Sequence, residues 1–258
     1  MTINLVKWRL MLLTFPITAV VVFLKIGIVQ WLHFDGLVSF SETGLVFTGG
    51  IFLVGFMLAG TLADYKESEK IPAEMASTIE SIYDTVVLAY GFNPNFDLLA
   101  QKNQIYEVTR SIIAYFTHQE SEEVVYKKID EITSVALWVE KTRMGSTTSW
   151  VKREQTNLRK LFARATVIKR TNFISTGYAF LEVMTLLIIG LLMITRFENV
   201  IISIILVGFI TQIYVYMVSL IKDIDHPFEY PLDGKIRAAD IDLFPLIEYE
   251  QRAKRNLV

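Results

Sequence analysis

Four long apolar runs stand out along the chain, and each has the length of one helical bilayer crossing, about 20 residues. They cover Leu10–Leu32, Gly44–Asp64, Ser175–Ile194 and Val200–Ile221. Residues 195–199 are all that separates the last two runs, which therefore predict a tight helical hairpin. The first run is longer than the core of a signal peptide and is not followed by a small-x-small cleavage site. We therefore expect four retained transmembrane helices.

The segment between the second and third runs carries apolar residues at the spacing of amphipathic helices. Helices are predicted over Ile71–Tyr90, Asn95–Phe116, Glu120–Arg143 and Trp150–Thr171. Their expected core positions include Ile71, Met75, Ile79, Ile82, Val86, Ala89, Leu99 and Val124. Amphipathic helices bury nothing without a partner, so these should pack on one another and on copies from other subunits. With no convincing β-hairpin signal, the fold class is predicted to be all-α.

Proline and glycine mark the expected breaks between these helices. Asn93-Pro94 separates the first two, and the proline is expected in the favourable first turn of the next helix. Residues 144–149 form a second break, after which a basic helix can continue into the third apolar run. In the tail, Pro231, Gly234 and Pro245 argue against a long helix. We expect the tail to be an extended arm lying on the helical domain.

Lys and Arg residues are distributed unequally between the flanks of the four runs. Loop 33–43 contains neither, and the loop between the last two runs contains Arg196 alone, whereas the N-terminal flank contains Lys7 and Arg9 and the remaining flanks contain many. Because cytoplasmic flanks carry the excess of Lys and Arg, both termini are expected in the cytoplasm. The predicted layout is transmembrane helices 1 and 2 in 1–64, a cytosolic helical domain in 65–174, transmembrane helices 3 and 4 in 175–221, and a cytosolic arm in 222–258.

Composition agrees with an integral membrane protein, which we expect in the plasma (inner) membrane. The chain is 52% hydrophobic with a mean hydropathy of +0.41, above the usual range of soluble domains. Its formal net charge of −2 gives no indication of a nucleic-acid partner. It has no Cys, three widely separated His and no nucleotide-binding or hydrolase motif. No enzyme activity, cofactor or metal site is therefore predicted.

Glu182 lies about two turns inside the third apolar run. An ionisable residue in a membrane helix is costly and suggests a functional site. In the other interpretation, Glu182 lies near the lipid headgroups and is reached by water, Lys169 or Arg170. A membrane enzyme that uses Glu182 as an acid or base is the least favoured function class.

The second apolar run carries its aromatic and small residues on one face. On a helical wheel centred on Phe52, residues Thr48, Phe56, Ala59 and Ala63 all fall within about 40°. Gly55, Ala59 and Ala63 also form a small-residue ridge along which helices can approach closely. This face could pack against lipid or another span. Alternatively, phenylalanines from several subunits could form a hydrophobic ring that gates by dewetting.

Short motifs follow one another in and after the second run: Phe52-Leu-Val-Gly-Phe56, then small apolar residues, Asp64-Tyr65 and Glu69-Lys-Ile-Pro72. This series resembles the second membrane helix of the bestrophin anion channels. His226-Pro227-Phe228 matches a Pro-Phe motif that follows the fourth span. The run Ala73–Ile79 resembles the bestrophin-like bacterial proteins, a neighbouring family of similar layout.

The resemblance implies a ring-forming oligomer, with a pentamer expected, and passive conduction of anions such as chloride through an axial pore. Phe52 and Phe56 match two positions of the pore neck, and Thr48 stands where the family has a third apolar residue. The residues after Phe228 depart from the acidic cluster that binds calcium in animal members, so no metal is predicted. The alternative function is a non-conducting membrane scaffold or signalling partner that acts through its cytosolic helices.

Overall fold

The computed structural model describes residues 5–31, 33–34, 36–94, 97–141, 147–170, 175–230 and 239–257. Almost all of these residues are helical. In chain order the helices are α1 (Leu5–Trp31), α2 (Phe40–Ser68), α3 (Ile71–Phe92), α4 (Leu98–Phe116), α5 (Glu122–Lys141), α6 (Thr147–Arg170), α7 (Ser175–Ile194), α8 (Val200–Ile224) and α9 (Phe244–Arg255).

Four helical stretches within the described residues are long and apolar enough to cross a membrane. They are Trp8–Trp31, Phe40–Phe92, Gly177–Ile194 and Val200–Ile224. Each overlaps one of the predicted apolar runs, and the third predicted run coincides with α7. The prediction of an all-α integral membrane protein with four apolar spans is therefore confirmed.

The described residues divide into two compact units. The first comprises the described parts of Met1–Tyr65, Asn172–His226 and Arg237–Ala239. The second comprises those of Lys66–Thr171, Pro227–Ile236 and Asp240–Val258.

In the first unit, α1 packs along α8, and α2 packs on α7 and α8. The core is apolar, and its largest fully buried side chain is that of Tyr214. Gln212 of α8 makes two hydrogen bonds to α1. The Thr18 hydroxyl donates to Gln212 Oε1 at 2.6 Å, and Gln212 Nε2 donates to Thr14 Oγ1 at 2.9 Å. Polar side chains within a membrane span need such partners, because lipid offers none.

A buried lysine joins α1 to the end of α7. Lys25 is 2% exposed, and its ammonium donates to the backbone oxygens of Leu192 at 3.2 Å, Met193 at 2.9 Å and Thr195 at 2.8 Å. These three bonds use all three donors of the ammonium. The last carbonyls of a helix have no partner within the helix, so Lys25 acts as a charged cap on α7.

The loop before α2 satisfies the remaining carbonyl at this end. The Leu37 N–H donates to Ile194 O at 2.8 Å. Two two-residue strands continue the contact in parallel, with β1 (Val38–Ser39) beside β2 (Thr195–Arg196). Gly36 adopts φ +101°, and a Cβ there would lie 2.7 Å from Arg196 N, so only glycine fits. This strand pair was not predicted from the sequence.

In the second unit, α3, α4, α5 and α6 pack on one another around an apolar core. The six core positions predicted in α3 are all buried. Two predicted core positions in the next helices are wrong, because Leu99 is 51% exposed and Val124 is 38% exposed. In α5 the buried stripe instead starts at Val125, one residue later, and continues through Ile129 and Ile132.

Several predicted helix boundaries differ from the observed ones. Pro94 precedes α4 by four residues instead of lying in its first turn, and Asp97 caps the helix by accepting from Ala100 N at 3.0 Å. Thr147 already begins α6, so the predicted break at 144–149 is shorter on that side. The rest of that break lies outside the described residues, as does the predicted continuation of α6 into the third span.

The tail was predicted to be an extended arm. This prediction is wrong for part of the tail, because it contains the helix α9. Pro245 lies in the first turn of α9, where the missing N–H costs nothing. This helix packs on α3 and α4 through Leu246, Tyr249 and Ala253. Arg252 pairs with Glu80 at 3.1 Å. Pro231 and Gly234 lie outside the described residues.

Replacing Lys25 with methionine tests its capping role. Lys25→Met keeps the length of the side chain but leaves three buried carbonyls without a donor. We expect a loss of about 3 kcal/mol in the free energy of unfolding, measured as a lower thermal midpoint in detergent.

The matched control is Lys222→Met, which removes another lysine from a membrane helix. Lys222 is 47% exposed and pairs with Glu182, and exposed pairs contribute at most about 1 kcal/mol. Equal effects of the two substitutions would contradict the assignment of Lys25 as the cap of α7.

Candidate functional site

One face of α2 is buried against α7 and α8. Its stripe consists of the buried residues Thr43, Phe47, Gly50, Val54 and Thr61, which are three, four or seven residues apart and therefore share one side of the helix. Tyr214 of α8 fixes the middle of this stripe, because its hydroxyl donates to Phe47 O at 2.7 Å. A Cβ on Gly50 would overlap that hydroxyl and lie 3.1 Å from the ring carbon Cζ. Glycine at position 50 therefore lets α2 approach α8.

The predicted pore residues lie on the opposite face of α2. Thr48, Phe52, Phe56, Ala59 and Ala63 are all exposed in the single chain, and the exposed fractions of Phe52 and Phe56 are 73% and 74%. At 100° per residue, the mean direction of these five side chains is about 170° from that of the buried stripe. The sequence had placed them on one face. The structure adds that this face points away from the core of its own unit.

Four glycines flank this exposed face, two on each side. Gly44 and Gly55 lie on one side and Gly49 and Gly60 on the other, each about 60° to 80° from the mean direction of the face. A Cβ at any of these four positions would meet nothing within 4 Å. Gly55, one member of the predicted small-residue ridge, lies in one of these two flanks. Both flanks therefore offer bare backbone to which another helix can come close.

Glu182, the acidic residue of the third apolar span, forms an ion pair with Lys222 across the α7–α8 hairpin. Both side chains are about half exposed. Neither of the two predicted basic partners takes this role. Lys169 lies over the rings of Tyr115 at 4.4 Å and Phe116 at 5.7 Å, and Arg170 pairs with Glu122.

The basic helix α6 is largely neutralised by carboxylates of its own unit. Arg159 pairs with Asp130, and Arg164 donates two hydrogen bonds to Glu67, at 3.2 and 3.1 Å. Burial, with Arg170 beside it, lowers the pKa of Lys169. The helix therefore contributes less positive field than its sequence suggests.

The Pro-Phe motif is packed inside the second unit. Phe228 is fully buried, and its ring stacks on that of Phe116 at a centroid distance of 5.3 Å. Pro227 O accepts from Ile241 N at 2.9 Å. Asp242 accepts at 2.9 Å from the N–H of Phe244, the first residue of α9. Among the described residues, no group of three or more His, Asp or Glu side chains could hold a metal ion.

Sequence reasoning missed Lys25, the buried cation of the first span. The signal was present, since Lys25 interrupts an otherwise uncharged run. Its ammonium also lies 5.4 Å from the ring centroid of Phe197. That ring contacts Phe40 at 5.5 Å, and Phe40 contacts Phe47 at 5.8 Å. An aromatic chain thus connects the capped end of α7 to the start of α2.

No protein-family model and no curated protein matches the chain. Its structure is similar to crystal structures of a bacterial bestrophin homologue from Klebsiella pneumoniae. One variant of that protein superposes with a TM-score of 0.70 at 11% identity, covering 97% of this chain and 96% of that one. A second variant gives 0.69 at 12%, covering 97% and 98%.

A further structure of the same bacterial protein gives a TM-score of 0.63 at 12% identity, covering 97% of this chain and 96% of that one. Identities this low show a shared fold and nothing finer. The coverage is nearly complete in both directions, so the match includes all four apolar spans and the helical segment between the second and the third. The chain therefore has the bestrophin-like fold that its motifs resemble.

Proposed function

We propose that this chain assembles as a homopentameric ring and conducts anions, chloride among them, through an axial pore lined by α2. One observation carries the proposal. The aromatic face of α2, from Thr48 to Ala63, lies opposite the stripe that α2 buries in its own unit. A helix held in this way presents that face to lipid or to a ring axis.

The glycine flanks favour the ring axis. In a ring of five helices, the directions from one helix to its two neighbours lie about 54° either side of the direction to the axis. Gly44, Gly49, Gly55 and Gly60 lie close to those two directions. Bare backbone there allows neighbouring α2 helices to approach closely while the phenylalanines converge on the axis.

Two stacked rings of phenylalanine would then form the neck. Phe52 and Phe56 are one helical turn apart, and no charged residue occurs between Glu42 and Asp64. A narrow apolar neck favours weakly hydrated ions and can close by dewetting. The edge of an aromatic ring is electropositive, so ring edges that face the axis favour anions over cations.

Thr48 forms the outermost ring of this proposed pore. Its hydroxyl donates to Gly44 O at 2.9 Å. The hydrogen is thereby engaged within the helix, and the hydroxyl turns its lone pairs and methyl group outward. Selectivity for anions therefore depends on the phenylalanine neck and on helix N-termini more than on this ring.

The proposed orientation places both termini in the cytoplasm of a cell whose plasma (inner) membrane holds the spans. It rests on the Lys and Arg distribution between the flanks. In this layout 1–64 and 175–221 cross the membrane, 65–174 forms a cytosolic helical domain, and 222–258 is a cytosolic C-terminal segment. Asp64 then marks the cytosolic end of the pore-lining span.

Leucine at the glycine flanks tests the assembly. Gly49→Leu and Gly55→Leu have room in the single chain, because no atom lies within 4 Å of either Cβ position. Each should therefore fold but block the approach of the neighbouring α2. We expect the wild type at five times 29.6 kDa and the variants as monomers, measured by light scattering in detergent.

The control is Gly190→Leu on α7, where a Cβ also meets nothing within 4 Å and where no ring contact is proposed. A wild-type protein that is itself monomeric or dimeric would contradict the proposed ring and favour the scaffold function. A ring that survives both flank variants would rule out contact between neighbouring α2 helices.

Chloride flux from liposomes tests conduction and the neck. Purified wild-type protein should release chloride, and the double variant Phe52→Ala, Phe56→Ala should raise the flux about fivefold or more, because widening an apolar neck lowers its dewetting barrier. It should also lose its preference for weakly hydrated anions.

The control double variant is Phe23→Ala, Phe209→Ala, whose phenylalanines are 72% and 65% exposed on α1 and α8. It should leave the flux unchanged. Absence of wild-type flux across a range of calcium concentrations, voltages and pH values would defeat the channel proposal, and equal effects of the two double variants would defeat the neck.

A further inference from the structure

A groove of about 1010 Å³ lies at the end of the first unit where α7 gives way to α8. Its lining includes four polar residues, Ser39, Ser41, Arg196 and Glu198, and five apolar residues, Phe40, Phe197, Val200, Ile202 and Leu206. We call Arg196 and Glu198 the charged edge of the groove and the apolar lining its apolar wall.

The level of the groove in the membrane follows from its elements. Ile194 ends one span and Val200 begins the next, so Arg196 and Glu198 lie at the boundary between hydrocarbon and headgroups. Ile202 and Leu206 are four residues apart and face the groove from the first turns of α8. The apolar wall therefore runs from the charged edge into the hydrocarbon region.

The charged edge presents one cation and one anion. Arg196 and Glu198 are two residues apart and both exposed. Among the described residues, neither side chain takes part in an ion pair or a side-chain hydrogen bond. A guanidinium binds phosphate well because it can donate two parallel hydrogen bonds. A carboxylate accepts hydrogen bonds and therefore suits a primary ammonium group.

We propose that this groove binds a phospholipid with an ethanolamine headgroup. Its phosphate accepts hydrogen bonds from Arg196, its ammonium donates to Glu198, and an acyl chain lies along Val200, Ile202 and Leu206. The charges of the headgroup and of the groove are complementary in sign, and the apolar wall matches the chain. This inference is independent of ion conduction.

Other phospholipids fit the charged edge less well. A choline headgroup carries the same charges, but its quaternary ammonium has no hydrogen to donate to Glu198. A glycerol headgroup has no cation, so its phosphate would bring a second negative charge close to that carboxylate. The preference among headgroups therefore tests the proposed contacts with Arg196 and Glu198.

Native mass spectrometry can measure this preference. The full-length protein is released from nanodiscs that contain ethanolamine, choline and glycerol phospholipids in equal amounts. We expect the ethanolamine lipid to be retained, with one copy for each subunit. Arg196→Gln and Glu198→Gln should each reduce its retention about tenfold, the effect of losing one charge-assisted hydrogen bond. Lys222→Gln, which neutralises a cation at the opposite end of α8, should leave retention unchanged.

Three outcomes would overturn the proposal. The first is equal retention of the three lipids by the wild type, and the second is retention by both edge variants at the wild-type level. The third concerns Leu206→Trp, which narrows the groove at its apolar wall and should reduce lipid retention without changing the mass of the assembly. If this variant instead alters the mass and leaves lipid retention unchanged, the groove is a contact between subunits.

Discussion

One end of the first unit depends on hydrogen bonds to the last backbone carbonyls of α7, which have no partner within the helix. Lipid offers no hydrogen-bond donor, so each of these oxygens needs one from the protein. Lys25 donates to Leu192 O and Met193 O, and to Thr195 O just after the helix, and the Leu37 N–H donates to Ile194 O. These donors come from α1 and from the loop before α2. One requirement of backbone chemistry therefore ties three of the four spans together.

The rotation of α2 about its axis follows from the same contacts. Its start is held by the β1–β2 pair and by the stack of Phe40 on Phe197. Its middle is held by the hydroxyl of Tyr214, which fits against Gly50. A rotation would lose the hydrogen bond to Phe47 O and bring a side chain into the place of the glycine. The contacts on the buried side of α2 therefore direct its aromatic face away from the core of the unit.

Hydrophobic periodicity predicted the helices, which depend on nearby residues. It could not predict side-chain partners that lie far along the chain. The four spans and the buried stripe of α3 follow from spacing alone. In α5 the wrong choice of Val124 was avoidable, because Val125 lies four residues before Ile129, at helical spacing, whereas Val124 lies five residues before it. The roles of Lys25 and Glu182 depend on partners more than 39 residues away and could not be read from their own neighbourhoods.

Exposure alone does not separate a pore-lining helix from a lipid-facing one, because every span of a membrane protein exposes apolar side chains. The distinction lies in what flanks the exposed face. On α7 and α8 that surface is built of large side chains such as Leu186, Leu187, Ile201 and Ile205, all more than 60% exposed. On α2 four open glycines border the phenylalanines instead. Large side chains fill space against fluid lipid, whereas bare backbone gains contact energy only when another helix lies against it.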